Sequence, residues 1–167
     1  MCIRDRAYPP EDSVLDSSIP NPREDTLSSL IFKNAAVRGA KTAIREKDLG
    51  IWQSWSWAEV AEEIKLLAGG LAAKGYVRGN NLAIIGDNRP RLYWSFAASQ
   101  SIGGVPVPLY QDAIADEMIY VFNDAEIEFA IVEDQEQVDK LLEIMPRCDK
   151  LRLSLIHIYE PTRRRGI

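Results

Sequence analysis

The stretch SWSWAEVAEEIKLLAGGLAAKGYVRGNNLAIIGDNRP, residues 54–90, decides the fold of this chain. It holds a capping-box pattern, in which Ser56 and Glu59 can each satisfy a backbone N–H of the other. Apolar side chains then recur at helical spacing, at Val60, Ile64, Leu67 and Leu71. Gly75 ends the predicted helix, and NLAIIGD, residues 81–87, predicts a short buried strand. A capped amphipathic helix that leads into a buried strand is typical of an α/β protein.

The apolar stripe of this helix predicts burial against the strand that follows it. We expect it to pack on residues 82–85, so that Leu67→Ala would cost about 2–5 kcal/mol through lost burial and a cavity. A helix that lies on a membrane would instead need a basic polar face. Here the polar face carries Glu62, Glu63 and Lys65, which favours packing on the protein's own sheet.

Before this stretch, the sequence predicts a leader, a helix and a hairpin. Residues 7–24 hold four prolines and little apolar periodicity, which is typical of a linker. A helix is expected to begin near Asp25 or Thr26 and to close with Gly39 in the left-handed conformation. Its apolar positions at helical spacing are Leu27, Leu30, Ile31 and Ala35. TAIREKD and IWQSWSW flank Leu49-Gly50 and predict a β-hairpin.

After this stretch, helices and strands continue to alternate. RPRLYWSFAASQSIGG, residues 89–104, predicts a helix with Pro90 in its first turn, where a missing N–H costs nothing. VPVPLY, residues 105–110, predicts an extended run at an edge, a bulge or a strand end. The later segments predict a helix at 115–125, a strand at 128–134, a helix at 136–145 and the start of a strand at 150–152. This alternation predicts an α/β fold with a mixed, largely parallel sheet flanked by helices.

The two ends of the chain are related as nucleotide sequence. Codons written for residues 1–5, followed by two bases of the Arg6 codon, have a reverse complement that encodes residues 153–157 and opens the Ile158 codon. This shared sequence resembles the transposase mosaic end of sequencing libraries. Residues 160–163 fit the adapter that follows it, although Tyr159 departs from the serine expected there.

We therefore interpret residues 1–6 and 153–167 as adapter-derived and exclude them from fold prediction. They are expected to pack against nothing specific. LRLSLIHIY, residues 151–159, nevertheless has the alternation of a strand and could extend one by accident.

Composition excludes several classes of function. The whole chain has a net charge of −5, and residues 7–152 alone hold 15 basic and 23 acidic residues, a net charge of −8. An acidic domain argues against general polyanion binding, and so against a nucleic-acid partner, though not against one local phosphate site. Residues 7–152 contain one cysteine, Cys148, and no histidine, so a disulfide framework, a thiolate metal cluster and a His-activated nucleophile are all disfavoured. No apolar run approaches the roughly 18 residues that span a membrane.

Three motifs have a functional and a structural interpretation. IIGDNRP, residues 84–90, places a glycine between a strand and a helix, but it lacks the spacing of known phosphate loops. A tight turn at Gly86, with Asp87 or Asn88 capping the next helix, is the better interpretation. The acidic run EDQEQVD, residues 133–139, could bind metal, but it begins a predicted helix, where the dipole favours negative charge.

The tryptophans make up the third motif. A stacking platform for bases would interleave aromatic rings with cations. Few cations separate these rings, so core packing is the favoured interpretation for all four, at positions 52, 55, 57 and 94.

Two blocks of sequence carry a resemblance to a known family. These are residues 54–90, quoted above, and SIGGVPVPLYQDAIADEMIYVFNDAEIEFAIVED, residues 101–134. They resemble the N-terminal region of AMP-forming acyl-CoA synthetases, the second block through its G-x-x-x-V-P-x-x strand. AAVRGAKTAIREKDLGIWQSWSW, residues 35–57, is similar to the entry hairpin of bacterial long-chain fatty acid–CoA ligases. The resemblance covers residues 26–152.

The resemblance implies a fold, a reaction and a domain division. Residues 25–152 would be the incomplete N-terminal part of an AMP-binding domain. The parent protein would join a fatty acid to coenzyme A through an acyl-adenylate, using ATP and Mg²⁺. The family's phosphate loop, which reads like TSGTTGxPK, is absent from this sequence. The resemblance therefore assigns no catalytic, cofactor-binding or metal-binding residue here, and we expect the chain alone to be inactive and to bind no cofactor.

The resemblance leaves alternatives open. The parent could be another adenylating enzyme, such as an aryl-CoA ligase or a peptide-synthetase adenylation domain. A chain of this length could also be a complete, non-catalytic α/β binding domain. The fatty-acid interpretation implies a cytoplasmic protein, for which peripheral association with a membrane is also expected.

Overall fold

The computed structural model describes residues 26–152 and the backbone of residues 156–157 of the 167-residue chain. It is a mixed α/β structure. Its helices are α1 (Leu27–Arg38), α2 (Trp57–Ala73), α3 (Pro90–Ile102), α4 (Ala115–Asp124) and α5 (Gln135–Ile144), with a short 3₁₀ helix at Met145–Arg147. Its strands are β1 (Thr42–Asp48), β2 (Ile51–Ser56), β3 (Asn81–Ile85), β4 (Val105–Leu109), β5 (Phe129–Val132) and β6 (Ile156–His157).

The strands form two sheets. β1 and β2 pair as an antiparallel hairpin, and β3 to β6 form a parallel sheet in the order β4-β3-β5-β6. The predicted α/β class, hairpin and largely parallel sheet are therefore confirmed. VPVPLY lies at the sheet edge, as its prolines predict. The backbone N–H of Val105 donates to the Asn80 carbonyl on the inner side of β4, at 2.9 Å.

Helices cover both faces of the parallel sheet, because its central strands are apolar on both sides. Leu82 and Ile84 of β3 belong to a cluster that also contains buried residues of α2 and α3. The alternate residues Ala83 and Ile85 belong to a second cluster, which α4 and α5 complete. Successive strand side chains point to opposite faces, so one short strand supplies both cores.

Helix α2 begins and packs as the sequence predicts. The Glu59 carboxylate accepts from the backbone N–H of Ser56 at 2.7 Å, and the Glu59 N–H donates to the Ser56 hydroxyl at 3.3 Å. These bonds from Ser56 hold the pKa of Glu59 below its ordinary value. Three residues of the stripe are buried and Leu67 is half-buried, in the cluster that contains Leu82 and Ile84. Gly75 follows the helix with φ +90°.

A buried tyrosine joins α2, α3 and β4. The Tyr76 hydroxyl lies 2.6 Å from the Ser99 hydroxyl and donates to the Asn80 carbonyl at 3.0 Å. Burial raises the pKa of Tyr76. The phenol ring lies against Gly104 so closely that a Cβ there would overlap its hydroxyl. It also meets Phe129 edge to face, with ring centroids 5.2 Å apart.

Helix α1 departs from the prediction in two ways. Gly39 is right-handed, with φ −42° and ψ −46°, so the expected left-handed closure is wrong. Leu27 and Leu30 are exposed, whereas Ser28 is buried and donates to the Ala97 carbonyl of α3 at 3.2 Å. The helix packs on α2 and α3 through a face rotated from the expected stripe, because a small residue allows the backbones to approach at Ser28.

The end of the described chain also departs from the prediction. Residues 150–152 form no strand, although the Arg152 N–H donates to the Glu128 carbonyl at 2.7 Å. Strand β6 begins later and pairs with β5 through residues 131 and 132. The expectation that residues 153–167 make no specific contact is thus wrong for the backbone of residues 156–157. The rest of that segment, like residues 1–6, lies outside the described residues.

Candidate functional site

The topology singles out one place in the sheet. β3 and β5 are neighbours, but β3 leads to β4 on one side, whereas β6 lies on the other side of β5. The chain connections therefore diverge between the carboxyl ends of β3 and β5. In open α/β sheets, ligands bind in the crevice outside such a switch point. The turns that follow β3 and β5 are the candidate functional site among the described residues.

A charged bracket fills this position. Glu133, directly after β5, accepts a hydrogen bond from the backbone N–H of Asp87, after β3. The Arg89 Nε lies 3.1 Å from the Glu133 carboxylate, and an Arg89 terminal nitrogen lies 3.5 Å from the Glu46 carboxylate of β1. Asp87 lies at the margin, 4.0 Å from Arg89. We call Arg89, Glu133 and Glu46 the Arg89 bracket.

Gly86 is required by this contact rather than by an unusual φ. A Cβ at Gly86 would lie 2.8 Å from the Glu133 Cβ. The interpretation of residues 84–90 as a turn is confirmed, but its expected cap is wrong. Helix α3 begins at Pro90 with Arg89 as its N-cap and no side-chain cap bond. Asp87 does not cap the helix, and its backbone N–H donates to the Glu133 carboxylate.

The contacts of the Arg89 bracket limit which ligands the residues at the switch point can bind. A carboxylate of the chain already takes the backbone N–H that a phosphate would need, and it neutralises the arginine. Among residues 26–152, no group of three His, Cys, Asp or Glu side chains has the geometry of a metal site. These residues therefore lack the donor set of a Mg²⁺ site, and the bracket links the β3 and β5 turns through a backbone hydrogen bond and ion pairs.

The acidic run 133–139 divides into two roles. Asp134 caps α5 and accepts from the Gln137 N–H at 3.0 Å, which confirms the predicted dipole-matched helix start. Glu136 pairs with Lys140 at 2.9 Å on the helix surface. Glu133 instead turns back to the β3 turn. Sequence reasoning missed this role because its partners lie 44 or more positions away along the chain.

The tryptophans differ in burial and in contacts. Trp55 and Trp94 meet edge to face with ring centroids 5.6 Å apart, and Trp94 is buried. Trp52 is 64% exposed, so its expected core packing is wrong. It lies on the solvent face of the hairpin, where the Lys47 Nζ is 6.0 Å from its ring centroid.

Cys148 does not support a nucleophile. The thiol is buried beside α5, and burial raises its pKa. A thiol held in the protonated form is a poor nucleophile. The structure thus agrees with the structural interpretation of this residue.

No helix among residues 26–152 is both long and apolar enough to span a bilayer.

Solved structures show that this layered α/β fold is that of the N-terminal part of an adenylate-forming domain. The family model described as AMP-binding enzyme matches residues 31–165, and the chain belongs to that family. The matched range includes residues 153–165, whose adapter origin remains a prediction.

Three comparisons illustrate the range of relatives. The chain is 27% identical over 121 residues to 4-hydroxybutyrate–CoA ligase 2 of Metallosphaera sedula, covering 72% of this chain and 21% of that protein. It is 23% identical over 137 residues to a long-chain-fatty-acid–CoA ligase of Xenopus laevis, covering 82% and 18%. The fold matches an anthranilate–CoA ligase solved with anthranoyl-AMP, with a TM-score of 0.70 at 19% identity, covering 79% and 25%.

The chain thus spans about a fifth of the length of these two curated relatives. The relatives act on different acids, while the fold is shared. The chain therefore belongs to the AMP-binding enzyme family, and its relatives in that family include acyl-CoA ligases that act on different acids.

Proposed function

We propose that this chain is part of an ATP-dependent ligase that joins a fatty acid, most simply a long-chain one, to coenzyme A. The observation that carries the proposal is the AMP-binding family match over residues 31–165. The long-chain relative adds support, because its similarity extends over 82% of the chain. The entry hairpin, which resembles that of long-chain ligases, points the same way.

The proposed reaction has two steps. The fatty-acid carboxylate attacks the α-phosphate of ATP, which forms the acyl-adenylate and releases pyrophosphate. The coenzyme A thiolate then attacks the acyl carbon and AMP leaves. A divalent cation would neutralise phosphate charge in the first step. No described residue of this chain fits that cation, so we propose no catalytic, nucleotide-binding or metal-binding residue within it.

The proposed role of residues 26–152 is to form one wall of the large domain. The Arg89 bracket holds the β3 and β5 turns at the carboxyl end of the sheet, where ligands of α/β proteins bind. We also propose a cytoplasmic location with peripheral membrane association.

We propose that residues 1–167 alone do not catalyse the reaction. The sequence holds no loop of the TSGTTGxPK type, which would supply backbone donors and a lysine to the phosphates. Preorganised donors of this kind are usually the largest catalytic contribution, and the loss of one donor alone costs about 10²–10³ in rate.

The test is a pyrophosphate-release assay with ATP, Mg²⁺ and acids of several classes. It compares this chain with a longer protein in which residues 7–152 continue into a full AMP-binding domain. We expect the longer protein to turn over with fatty acids and this chain to give no signal above the no-enzyme blank. Turnover by this chain would show that its own residues carry the chemistry.

The choice of acid has a separate outcome in the same assay. Activity of the longer protein on aryl or amino acids, but on no fatty acid, would favour the other adenylating enzymes. Activity on no carboxylic acid at all would favour a non-catalytic binding domain.

A further inference from the structure

The turn between β1 and β2 carries an unusual residue. Leu49 and Gly50 both have positive φ, at 45° and 83°, which is the pattern of a two-residue type I′ turn. Such turns favour Asn-Gly or Asp-Gly, because a left-handed conformation is strained for most side chains. Here the first position is a leucine that is 84% exposed. A strained, exposed apolar residue gains nothing from the fold and points to a contact outside it.

The apolar surface continues beyond the turn. Ile51 is 65% exposed and Trp52 is 64% exposed. With Leu49 they are the exposed apolar residues at the far end of the hairpin. We call Leu49, Ile51 and Trp52 the hairpin tip.

The charges next to the hairpin tip are sorted by face. In the β1–β2 register, Lys47 lies opposite Trp52 and Arg45 lies opposite Ser54. Opposed residues share a face, so both cations and the indole lie on the outer face. The acidic residues of β1, Glu46 and Asp48, occupy the alternate positions, where Asp48 lies opposite Ile51.

Most of the inner face is accounted for by the fold. Its exposed residues towards the far end are Asp48, Ile51 and Gln53. Ile44 and Trp55 are opposite one another and pack against the core. Glu46, on the same face, reaches Arg89 of the bracket. The outer face of the described hairpin therefore holds two cations and no carboxylate, in a chain whose net charge is −5.

We propose that the hairpin tip docks on the headgroup region of an anionic phospholipid bilayer. Leucine, isoleucine and tryptophan enter the boundary between headgroups and acyl chains, where the amphipathic indole is favoured. Lys47 and Arg45 then lie level with lipid phosphates, which attract basic residues close to the surface. The charge of the outer face is complementary to such a membrane, although the chain as a whole carries a net charge of −5.

A membrane accounts for the hairpin tip better than a polyanion in solution does. Single-stranded nucleic acid would use several aromatic rings for stacking, and the outer face offers one. It would also gain nothing from the exposed leucine and isoleucine. The proposal deepens the peripheral association proposed above, but it does not require ligase activity. Vesicle binding and catalysis are therefore measured and judged separately.

The test measures binding of the full chain to vesicles by co-sedimentation. One set is phosphatidylcholine alone and the other contains about one third phosphatidylglycerol, which gives the negative surface that attracts basic residues. We expect binding to the anionic vesicles only. The double change Ile51→Ser and Trp52→Ser should lower the partition coefficient by about tenfold or more, since both apolar side chains are lost.

Matched control variants distinguish the effect of the hairpin tip on binding from the effects of general surface hydrophobicity and charge. Leu66 of α2 is exposed to the same extent as Trp52, at 64%, so Leu66→Ser should leave binding unchanged. Lys65 lies 6.0 Å from the Phe32 ring centroid, as Lys47 does from Trp52. Lys47→Gln should weaken binding to anionic vesicles, and Lys65→Gln should not. Circular dichroism spectra of all variants must match the wild type.

Three outcomes would overturn the proposal. The first is equal binding to both vesicle types, and the second is equal loss of binding in the tip and control variants. The third is wild-type binding to single-stranded DNA or an acidic peptide with none to anionic vesicles, which would assign the outer face to a polyanion instead.

Discussion

At Gly104 the absence of one methyl group allows Tyr76 to stay buried. The conformation at Gly104 is an ordinary one, so the requirement is for space rather than for φ. We expect Gly104→Ala to lower the free energy of unfolding by about 1–3 kcal/mol, because the Tyr76 ring must move and its bond to Ser99 is lost. Urea denaturation of the full chain measures this change.

A second glycine provides the control. Gly69 lies inside α2 with nothing within 4 Å of an added Cβ. Gly69→Ala should therefore raise the free energy of unfolding by about 0.5–1 kcal/mol, as expected for a helix interior. A Gly104→Ala variant as stable as the wild type would show that Tyr76 can move at no cost.

At the residue scale, the sequence predicted local partners and missed distant ones. The Ser56–Glu59 capping box is a contact over three positions, and its pattern is visible in the sequence. The contacts of Arg89 with Glu46 and Glu133 join three separate elements. No local pattern indicates such a contact, because it depends on how the elements are placed in three dimensions.

At the scale of the element, helix α2 offers a direct test of burial. Leu71 is fully buried, whereas Leu66 on the same helix is 64% exposed. We expect Leu71→Ala to lower the free energy of unfolding by about 2–5 kcal/mol, through lost burial and a cavity. Leu66→Ala should change it by less than about 0.5 kcal/mol, as at most surface positions. Denaturant unfolding of both variants makes the comparison.

The intermediate position of Leu67 refines this prediction. Leu67 packs against the same cluster but remains half-buried. We expect Leu67→Ala to cost less than Leu71→Ala, below the range of about 2–5 kcal/mol that full burial gives. Equal costs for Leu66, Leu67 and Leu71 would contradict the observed packing face.

The types of the elements were predictable where the apolar periodicity agrees with the prolines and glycines that mark the ends of elements. Among the described residues, the five α-helices and the first five strands lie within one residue of the segments that predicted them, because apolar spacing, prolines and glycines mark these segments. The face of α1 was not predictable. Leu27 and Leu30 fit an apolar stripe, yet the buried contact is made by Ser28, whose small side chain is inconspicuous in a hydrophobic pattern.

For the whole molecule, the Arg89 bracket joins the hairpin to the parallel sheet. We expect Glu133→Ala to lower the free energy of unfolding by about 1–3 kcal/mol, because the Asp87 N–H loses its acceptor and Arg89 loses its nearer partner. Hydrogen exchange of the Asp87 amide should also accelerate. Arg89 is 43% exposed, so solvent screens much of the ion pair and the backbone bond carries most of the effect.

A remote ion pair is the matched control for the bracket. Arg147 and Asp116 lie 2.7 Å apart, with side chains 52% and 74% exposed. Asp116→Ala should change the free energy of unfolding by less than about 1 kcal/mol and leave the Asp87 amide unaffected. Equal effects of the two changes would mean that the bracket is an ordinary surface pair.

The overall architecture followed from the alternation of helices and strands, while the candidate site did not. Alternation predicts a largely parallel sheet with helices beside it, and the structure has that sheet. The switch point depends on strand order, which the sequence does not state. The contacts at the switch point depend on the carboxylate of Glu133, which the sequence pattern assigned to an acidic helix start.

The prolines of the edge strand have a consequence for the protein while it is folding. Because the N–H of Val105 points inward to Asn80, alternation places Pro106 and Pro108 at the outward positions of β4, where neither can donate a hydrogen bond. A second, partly folded copy that approaches this edge finds no donor at two successive outward positions. The β4 edge of the newly made polypeptide is therefore a poor template for strand addition, which protects it from aggregation at that edge.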